Sequence, residues 1–193
     1  MPLSKIHRRT RETEVDVELE LDGRGQAAIE TGIPFLDHML TLFAAHGYFD
    51  VTIKAVGDLE VDQHHTVEDI GICLGHAFKE AVAQRPGVRR FGSVRVPMDE
   101  ALAEVTVDLS NRPFLHLEVD LPPGGAGLDP QLLKEFWRAV STHGGMTLHI
   151  TVPYGENTHH ILEAVFKAAG RALDTATQPE PRAEGVPSTK GVL

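Results

Sequence analysis

The sequence His64-His65-Thr66-Val67-Glu68 returns 95 residues later as His159-His160-Ile161-Leu162-Glu163, and this repeated motif indicates how the chain is built. Two further pairs of segments recur in the same order: 17–21 with 105–109, and 35–39 with 132–136. Short amphipathic elements can resemble one another by chance, but shared order together with a repeated His-His-x-x-Glu favours an internal duplication. The spacing between equivalent residues varies from 88 to 97, as expected if insertions lie in loops.

Both halves have the same predicted order of elements. Alternating apolar and polar residues predict strands, and apolar residues at helical spacing predict helices. The first half has predicted strands at 13–21, 26–31 (after a hairpin turn at 22–25) and 50–56, and predicted helices at 33–46 and 65–83. The second half has predicted strands at 105–109, 114–121 (after a turn at 110–113) and 146–152, and predicted helices at 132–140 and 160–176.

These elements predict an α+β fold with sheets packed against helices, formed by two ββαβα halves. We expect the first half-repeat to span residues 1–90 and the second 91–178, within one functional domain. The proline-containing tail, residues 179–193, has no apolar periodicity. The simplest interpretation is a solvated terminus.

The composition excludes several classes of protein. A net charge of -10 argues against nucleic acid or an anionic membrane as the main partner. Cys73 is the only cysteine, so no disulfide forms within the chain, and a cytoplasmic location is expected. The N-terminus lacks the apolar stretch of a signal peptide, and no apolar run is long enough to span a bilayer.

The repeated motif has the spacing of a metal site. On a helix, Glu68 follows His64 by four residues and His65 by three, so all three side chains share one region of the surface. Residues 159–163 repeat both spacings. Imidazole and carboxylate ligands together suit borderline divalent ions such as Mn, Fe, Co, Ni or Zn. Since consecutive helical residues point about 100° apart, the two histidines of each pair are expected to serve different metals.

The repeat also suggests one further ligand in each half. His38 in the first half aligns with Glu135 in the second, and both side chains can bind a metal. A lone histidine is more often a surface or core residue, but two matched motifs favour a metal role. The predicted ligands are His38, His64, His65, Glu68, Glu135, His159, His160 and Glu163.

Seven segments together resemble one enzyme family, imidazoleglycerol-phosphate dehydratase. They are FLDHML (35–40), DQHHTVED (62–69), PMDEALA (97–103), DLSNRP (108–113), TLHI (147–150), HHILEAVFKA (159–168) and STKG (188–191). The resemblance runs from about Arg8 to Leu193, in the right order.

The resemblance implies that the chain dehydrates imidazoleglycerol phosphate to imidazole-acetol phosphate in histidine biosynthesis. It also implies two superimposable halves, similar to domain 2 of ribosomal protein S5, and two Mn²⁺ ions per active site. A homo-oligomeric shell of 24 subunits, with sites between subunits, is expected from the family. The chain departs from the family at one proposed ligand, because many members have histidine where this sequence has Glu135.

The resemblance further assigns substrate-binding and catalytic residues. An acidic residue near the substrate falls on Glu12, and the proton-transfer candidates are Glu12, Glu68 and Glu163. Arginine suits bidentate phosphate contacts and lysine adds point charge. Without the resemblance, Arg90 and Lys167 would be interpreted as solvated surface charges. The expected substrate-binding residues are Glu12, His38, His46, Arg90, Arg112, Lys167, Ser188, Thr189 and Lys190.

The carbon that loses its proton, C2 of the substrate chain, is not next to a carbonyl, so this C–H bond is not ordinarily acidic and its cleavage requires activation. Our hypothesis is that two metal ions act as Lewis acids on the imidazole ring and the C3 hydroxyl, while Glu12 or a ligand carboxylate removes the proton. Two alternatives remain at this point: a dinuclear metallohydrolase such as a phosphatase, and a non-catalytic metal-binding shell. A dinuclear hydrolase usually bridges its metals with carboxylates, whereas six of the eight predicted ligands are histidines.

Overall fold

The computed structural model describes residues 3–85, 87–122, 128–182, 185 and 188. Within them the strands are β1 Leu3–Arg9, β2 Thr13–Glu20, β3 Ala27–Glu30, β4 Asp50–Gly57, β5 Phe91–Met98, β6 Ala101–Asp108, β7 Phe114–Glu118 and β8 Thr147–Tyr154. The helices are α1 Pro34–Gly47, α2 His64–Ala83, α3 Pro130–Gly144 and α4 Thr158–Thr177.

The predicted duplication is confirmed by the topology of the two sheets. The first sheet has the strand order β1-β2-β4-β3 and the second has β5-β6-β8-β7, which is the same order in each half. Each sheet contains two antiparallel pairings and one parallel pairing, in the same places. The fold is therefore α+β, with two equivalent mixed sheets and four helices.

Each half begins with a strand that the sequence did not predict. β1 and β5 are edge strands, and each fully buries one residue, Ser4 in β1 and Gly92 in β5. β1 has no clear apolar alternation, whereas β5 alternates at Val94, Val96 and Met98, which are only partly buried. The observed unit is thus the predicted ββαβα with one additional strand at its start.

The predicted hairpin at 22–25 was wrong. β3 does not pair with β2; it runs parallel to β4, with Ile29 opposite Ile53. Both edges of β2 are already occupied, by β1 and β4. The Asp50 carboxylate instead accepts hydrogen bonds from the backbone of Arg24 (2.8 Å) and Gln26 (2.9 Å), and so turns the chain over the end of the sheet.

The helices pack crosswise between the halves. α1 of the first half lies against α4 of the second, and α2 of the first half lies against α3 of the second. Both crossings bring backbones together at glycines. A Cβ on Gly75 would lie 2.8 Å from Val140 O, and a Cβ on Gly170 would collide with the carbonyl oxygen of Phe43.

One continuous core joins the two halves. Phe43, Phe78, Phe136, Trp137 and Phe166 are all essentially inaccessible to solvent and come from all four helices. Within the residues that the structure describes, no helix has the length and apolar character needed to cross a membrane. The boundaries 1–90, 91–178 and 179–193 remain a prediction of the repeat alignment.

Candidate metal centre and substrate site

Three predicted ligands from opposite halves of the chain meet at the α1–α4 crossing. His38 lies in the second turn of α1, whereas His159 and Glu163 lie in the first two turns of α4. The Glu163 Oε1 atom is 2.9 Å from His38 Nε2 and 3.0 Å from His159 Nε2. The Asn157 side chain caps α4 and accepts a hydrogen bond from the backbone of His159, which fixes the start of this helix.

The charge of Glu163 is stabilised although the residue is buried. Burial by itself raises the pKa of this carboxyl, but hydrogen bonds from Lys167, His38 and His159 outweigh that effect and hold the pKa at about 2. Lys167 Nζ lies 2.6 Å from Glu163 Oε2. One carboxylate oxygen therefore faces an ammonium group and the other faces two imidazoles. The three ligand atoms lie within 4.8 Å of one another and could hold a metal ion.

The equivalent residues of the other crossing do not converge in the same way. By the duplication, Glu135 of α3 should meet His64 and Glu68 of α2. His64 Nε2 is 3.8 Å from Glu68 in the first turns of α2. Glu135 is instead paired with Arg138, three residues further along its own helix. Among the described residues, His38, His159 and Glu163 form the single group of three ligands that converges.

The second histidine of each pair points to a different carboxylate. His65 Nδ1 lies 3.0 Å from Asp58 Oδ2, and His160 Nδ1 lies 2.8 Å from Glu100 Oε2. The hydrogen bond to Asp58 raises the pKa of His65, and the hydrogen bond to Glu100 raises the pKa of His160. The two histidines of each pair thus face different surroundings, and their assignment to different metals stays a prediction.

Glu12 lies in the loop between β1 and β2, near His65. Its Oε2 atom is 3.8 Å from His65 Nδ1, too far for a hydrogen bond. Glu12 and Asp58 line one open surface pocket. The predicted acidic residue is therefore adjacent to a predicted metal ligand, with a carboxylate that is more than half exposed.

Two of the predicted phosphate ligands share a carboxylate at the far end of the second sheet. Arg90 Nε donates to Asp108 Oδ1 at 2.6 Å, and Arg112 donates to Asp108 Oδ2 at 3.3 Å. Arg90 has a left-handed backbone, with φ of 72°, and its guanidinium lies 4.9 Å from the centre of the Phe91 ring. The exposed Arg112 side chain offers further donors to an anion.

These arginines are far from the histidine cluster of the same chain. The Arg90 backbone donates to Ala176 O, and Ala176 follows Glu163 by 13 residues in α4, a distance of about 20 Å. β6 gives a second measure, since Glu100 precedes this strand and Asp108 ends it, about 26 Å away. Lys167, by contrast, contacts Glu163 directly.

Of the remaining predicted substrate-binding residues, the structure describes His46 and Ser188. His46 lies in the last turn of α1, and burial, followed by the charges of Lys167 and Arg171, lowers its pKa. Ser188 is half-buried. Thr189 and Lys190 lie outside the described residues.

Sequence reasoning missed three acidic residues and one histidine contact. Asp58, Glu100 and Asp108 were not assigned, although Glu100 follows Glu12 by the same 88 residues that separate the repeated strands. The histidine contact joins His143 of α3 to His76 of α2, with 3.1 Å between His143 Nδ1 and His76 Nε2. No sequence spacing links these two histidines.

The comparisons with known proteins agree on one family. The family model for imidazoleglycerol-phosphate dehydratase matches residues 31–173. The imidazoleglycerol-phosphate dehydratase of Pelobacter propionicus is 56% identical over 189 residues, covering 97% of each chain. That of Halalkalibacterium halodurans is 55% identical over 194 residues, covering 100% of both chains.

Two solved structures of the same family are also similar to this chain. The crystal structure of IGPD from Pyrococcus furiosus in complex with (S)-C348 has a TM-score of 0.84 and 42% identity, covering 97% of this chain and 100% of that one. The imidazoleglycerol-phosphate dehydratase structure from Staphylococcus aureus has a TM-score of 0.81 and 39% identity, covering 90% of this chain and 97% of the other. The chain therefore belongs to the imidazoleglycerol-phosphate dehydratase family and is a hydro-lyase of histidine biosynthesis.

Proposed function

We propose that this chain dehydrates imidazoleglycerol phosphate to imidazole-acetol phosphate with two divalent metal ions per active site, and that each active site is completed by a second copy of the chain. The observation that carries the proposal is the convergence of His38, His159 and Glu163. The reaction is proposed from family membership, and the metal site is proposed from the positions of these residues.

The donor set fits a borderline divalent ion. Two imidazole nitrogens and one carboxylate oxygen lie close enough to share one ion, and the low pKa of Glu163 keeps its carboxylate charged at neutral pH. We favour Mn²⁺ from the family resemblance. The duplication supports a second ion held by His64, Glu68 and Glu135, with His65 and His160 distributed between the two ions.

The arrangement within one chain supports a shared active site. The cations at Asp108 are about 20 Å from Glu163 along α4. That span exceeds the length of a three-carbon chain bearing an imidazole and a phosphate. Arg90 and Arg112 of one copy would therefore bind the phosphate of a substrate held at the histidines of another. We propose the 24-subunit shell on the family resemblance alone.

A divalent ion held by His38, His159 and Glu163 would supply Lewis-acid chemistry, which would favour ionisation of the imidazole ring and loss of the C3 hydroxyl. Glu12 accepts the C2 proton, because its exposed carboxylate adjoins His65. The C3 hydroxyl takes up the proton released when the ring N–H ionises and leaves as water. The ring nitrogen regains a proton from protonated Glu12, and the resulting enol tautomerises to the ketone of imidazole-acetol phosphate. Glu68 and Glu163 remain alternative proton acceptors, as ligand carboxylates.

The phosphate end would supply positioning. Arg90, Arg112 and Lys167 are the described cations that we assign to it, and Ser188, Thr189 and Lys190 of the tail would add further contacts. Holding the phosphate keeps the C2–H and C3–OH bonds oriented towards the reacting groups. We also propose a cytoplasmic enzyme, a setting in which the single, buried Cys73 stays reduced.

The deciding experiment is a dehydration assay on the purified protein, first stripped of metal and then supplied with Mn²⁺. We expect activity to depend on Mn²⁺ with two ions bound per active site, and the His159→Ala variant to lose both one ion and activity. The Glu118→Ala variant, on the exposed face of β7, is the matched control. Hydrolysis of the phosphate would favour the phosphatase alternative, and metal binding without turnover would favour the non-catalytic shell.

A further inference from the structure

The two halves carry equivalent glutamates that make different contacts. Glu12 and Glu100 lie 88 residues apart, between the first and second strands of their halves. Each faces the second histidine of its half, His65 or His160. Glu100 Oε2 lies 2.8 Å from His160 Nδ1, whereas Glu12 Oε2 stays 3.8 Å from His65 Nδ1. The duplicated halves have therefore diverged at this position.

Asp58 accounts for the difference. Its carboxylate oxygens lie 3.0 Å and 3.2 Å from His65 Nδ1, the place that Glu100 occupies at His160. Asp58 directly follows Gly57, and the counterpart of Gly57 is Gly155, because a Cβ on Gly57 would contact Thr66 and one on Gly155 would contact the equivalent Ile161. The counterpart of Asp58 is therefore Glu156, which donates its backbone N–H to Glu100 Oε1. Asp58 thus faces the histidine in the first half, and Glu100 faces it in the second.

Glu100 is fixed by contacts on both of its oxygens. Oε1 accepts hydrogen bonds from the backbone of Asn157 (2.8 Å) and Glu156 (3.2 Å), just before α4. Oε2 faces His160. The Glu100 carboxylate is thus held in place at both of its oxygens.

We infer that Asp58 and Glu100 are positioning residues that bind Nδ1–H of His65 and His160, so that each Nε2 is presented to a metal and Glu12 is left free for proton transfer. An imidazole that donates from one nitrogen offers the lone pair of the other, and a carboxylate partner strengthens that donor. The inference rests on the proposed function, because it takes His65 and His160 as metal ligands.

The first test measures Mn²⁺ affinity by electron paramagnetic resonance of the free ion, for Glu100→Ala and Glu100→Gln. We expect one of the two ions to bind about 10- to 100-fold more weakly in Glu100→Ala. Glu100→Gln should lose less, since its amide oxygen still accepts a hydrogen bond. Glu118→Ala is the control. An affinity of Glu100→Ala within twofold of wild type overturns the inference.

A double-mutant cycle separates positioning from a structural role. If Glu100 acts through His160, replacing Glu100 by alanine in a His160→Ala background should cause no further loss of Mn²⁺ affinity. Full additivity of the two losses would mean that Glu100 only stabilises the start of α4, and would overturn the inference. Wild-type protein that binds no Mn²⁺ would overturn the proposed function as well, so the two failures can be told apart.

The second test concerns Asp58 and Glu12. In Asp58→Ala, Glu12 is near enough to move onto His65 Nδ1, so Mn²⁺ affinity should fall less than in Glu100→Ala. The kcat for dehydration should nevertheless fall more than tenfold, because the proton acceptor is diverted. Adding Glu12→Ala should then lower the affinity further. An Asp58→Ala variant with unchanged kcat, or no added loss of affinity in the double variant, contradicts the assigned division of roles.

Discussion

Replacing Gly170 by alanine tests whether the α1–α4 crossing sets the geometry of the metal centre. Gly170 lies two turns beyond Glu163 in α4. A Cβ at this position would collide with the carbonyl oxygen of Phe43 and lie 3.1 Å from the backbone nitrogen of Gly47, both in α1. Because these are backbone atoms, no side-chain rotation relieves the contact. α1 has to move away, and it carries His38 with it.

The expected loss of stability follows from two opposing effects. Overpacking a tight core contact costs about 1–3 kcal/mol, and a collision with backbone belongs at the upper end. Alanine recovers about 1 kcal/mol in helix propensity. We therefore expect a net loss of about 2 kcal/mol, which for a chain of this size lowers Tm by about 4–8 °C. The contact of 2.9 Å between His38 and Glu163 should lengthen, so Mn²⁺ affinity should also fall.

The assay is thermal unfolding of the metal-free protein at fixed concentration, followed by Mn²⁺ titration. Gly75→Ala is an internal comparison, since its Cβ would lie 2.8 Å from Val140 O at the other crossing and should cost less. Lys79→Ala, on the exposed side of α2, should change stability by less than about 0.5 kcal/mol. A Gly170→Ala protein as stable as wild type, with unchanged metal affinity, would refute this account of the crossing.

Four other outcomes are expected. Glu135→Ala should lose one metal ion while Glu135→His keeps substantial activity, as measured by metal content and kcat; full activity in Glu135→Ala would show that the halves are paired wrongly at this helix. Removing Ser188 to Leu193 should raise KM sharply with the fold intact, and kinetics within twofold of wild type would contradict a role of the tail. Chelation should lower the apparent mass in light scattering and Mn²⁺ should restore it, whereas an unchanged mass would exclude metal-linked assembly. Burial raises the pKa of Asp174, so this residue contributes stability fully below the pKa of the unfolded chain, and the contribution is lost as pH rises through the pKa of the folded protein. The Tm of Asp174→Asn should equal that of wild type at about pH 3 and exceed it at neutral pH. Equal Tm values at both pH values would contradict this.

The duplication could be predicted because it leaves marks at fixed spacing. His64 and His159 define equivalent helices, and the alternation in 17–21 and 105–109 defines equivalent strands. The edge strand β1 left no such mark, because an edge strand with one weakly buried face needs little apolar periodicity. β5 does alternate at Val94, Val96 and Met98, and this pattern was overlooked. The parallel pairing of β3 with β4 depends on the whole sheet and could not be inferred from the turn that precedes it.

In the candidate site, too, residues at regular spacing could be predicted, whereas contacts that depend on the whole fold could not. The candidate ligands were predicted from helical spacing, but the contacts of each one were not. His38 was predicted to complete one metal site as the equivalent of Glu135, but nothing in the sequence showed that it lies against Glu163 of the other half. The contacts of Asp58 and Glu100 with the histidines arise from loops, where spacing carries no helical or strand period.

The crosswise packing of the helices has a consequence for the ancestry of this chain. The cluster at Glu163 takes His38 from one half and His159 from the other, and the apolar faces of α1 and α2 are covered by α4 and α3. A half-length ancestor could have built neither a site nor a closed core alone. It would have worked as a symmetric pair of identical polypeptides, and gene fusion then freed the two copies of each position to specialise, as Glu12 and Glu100 have done.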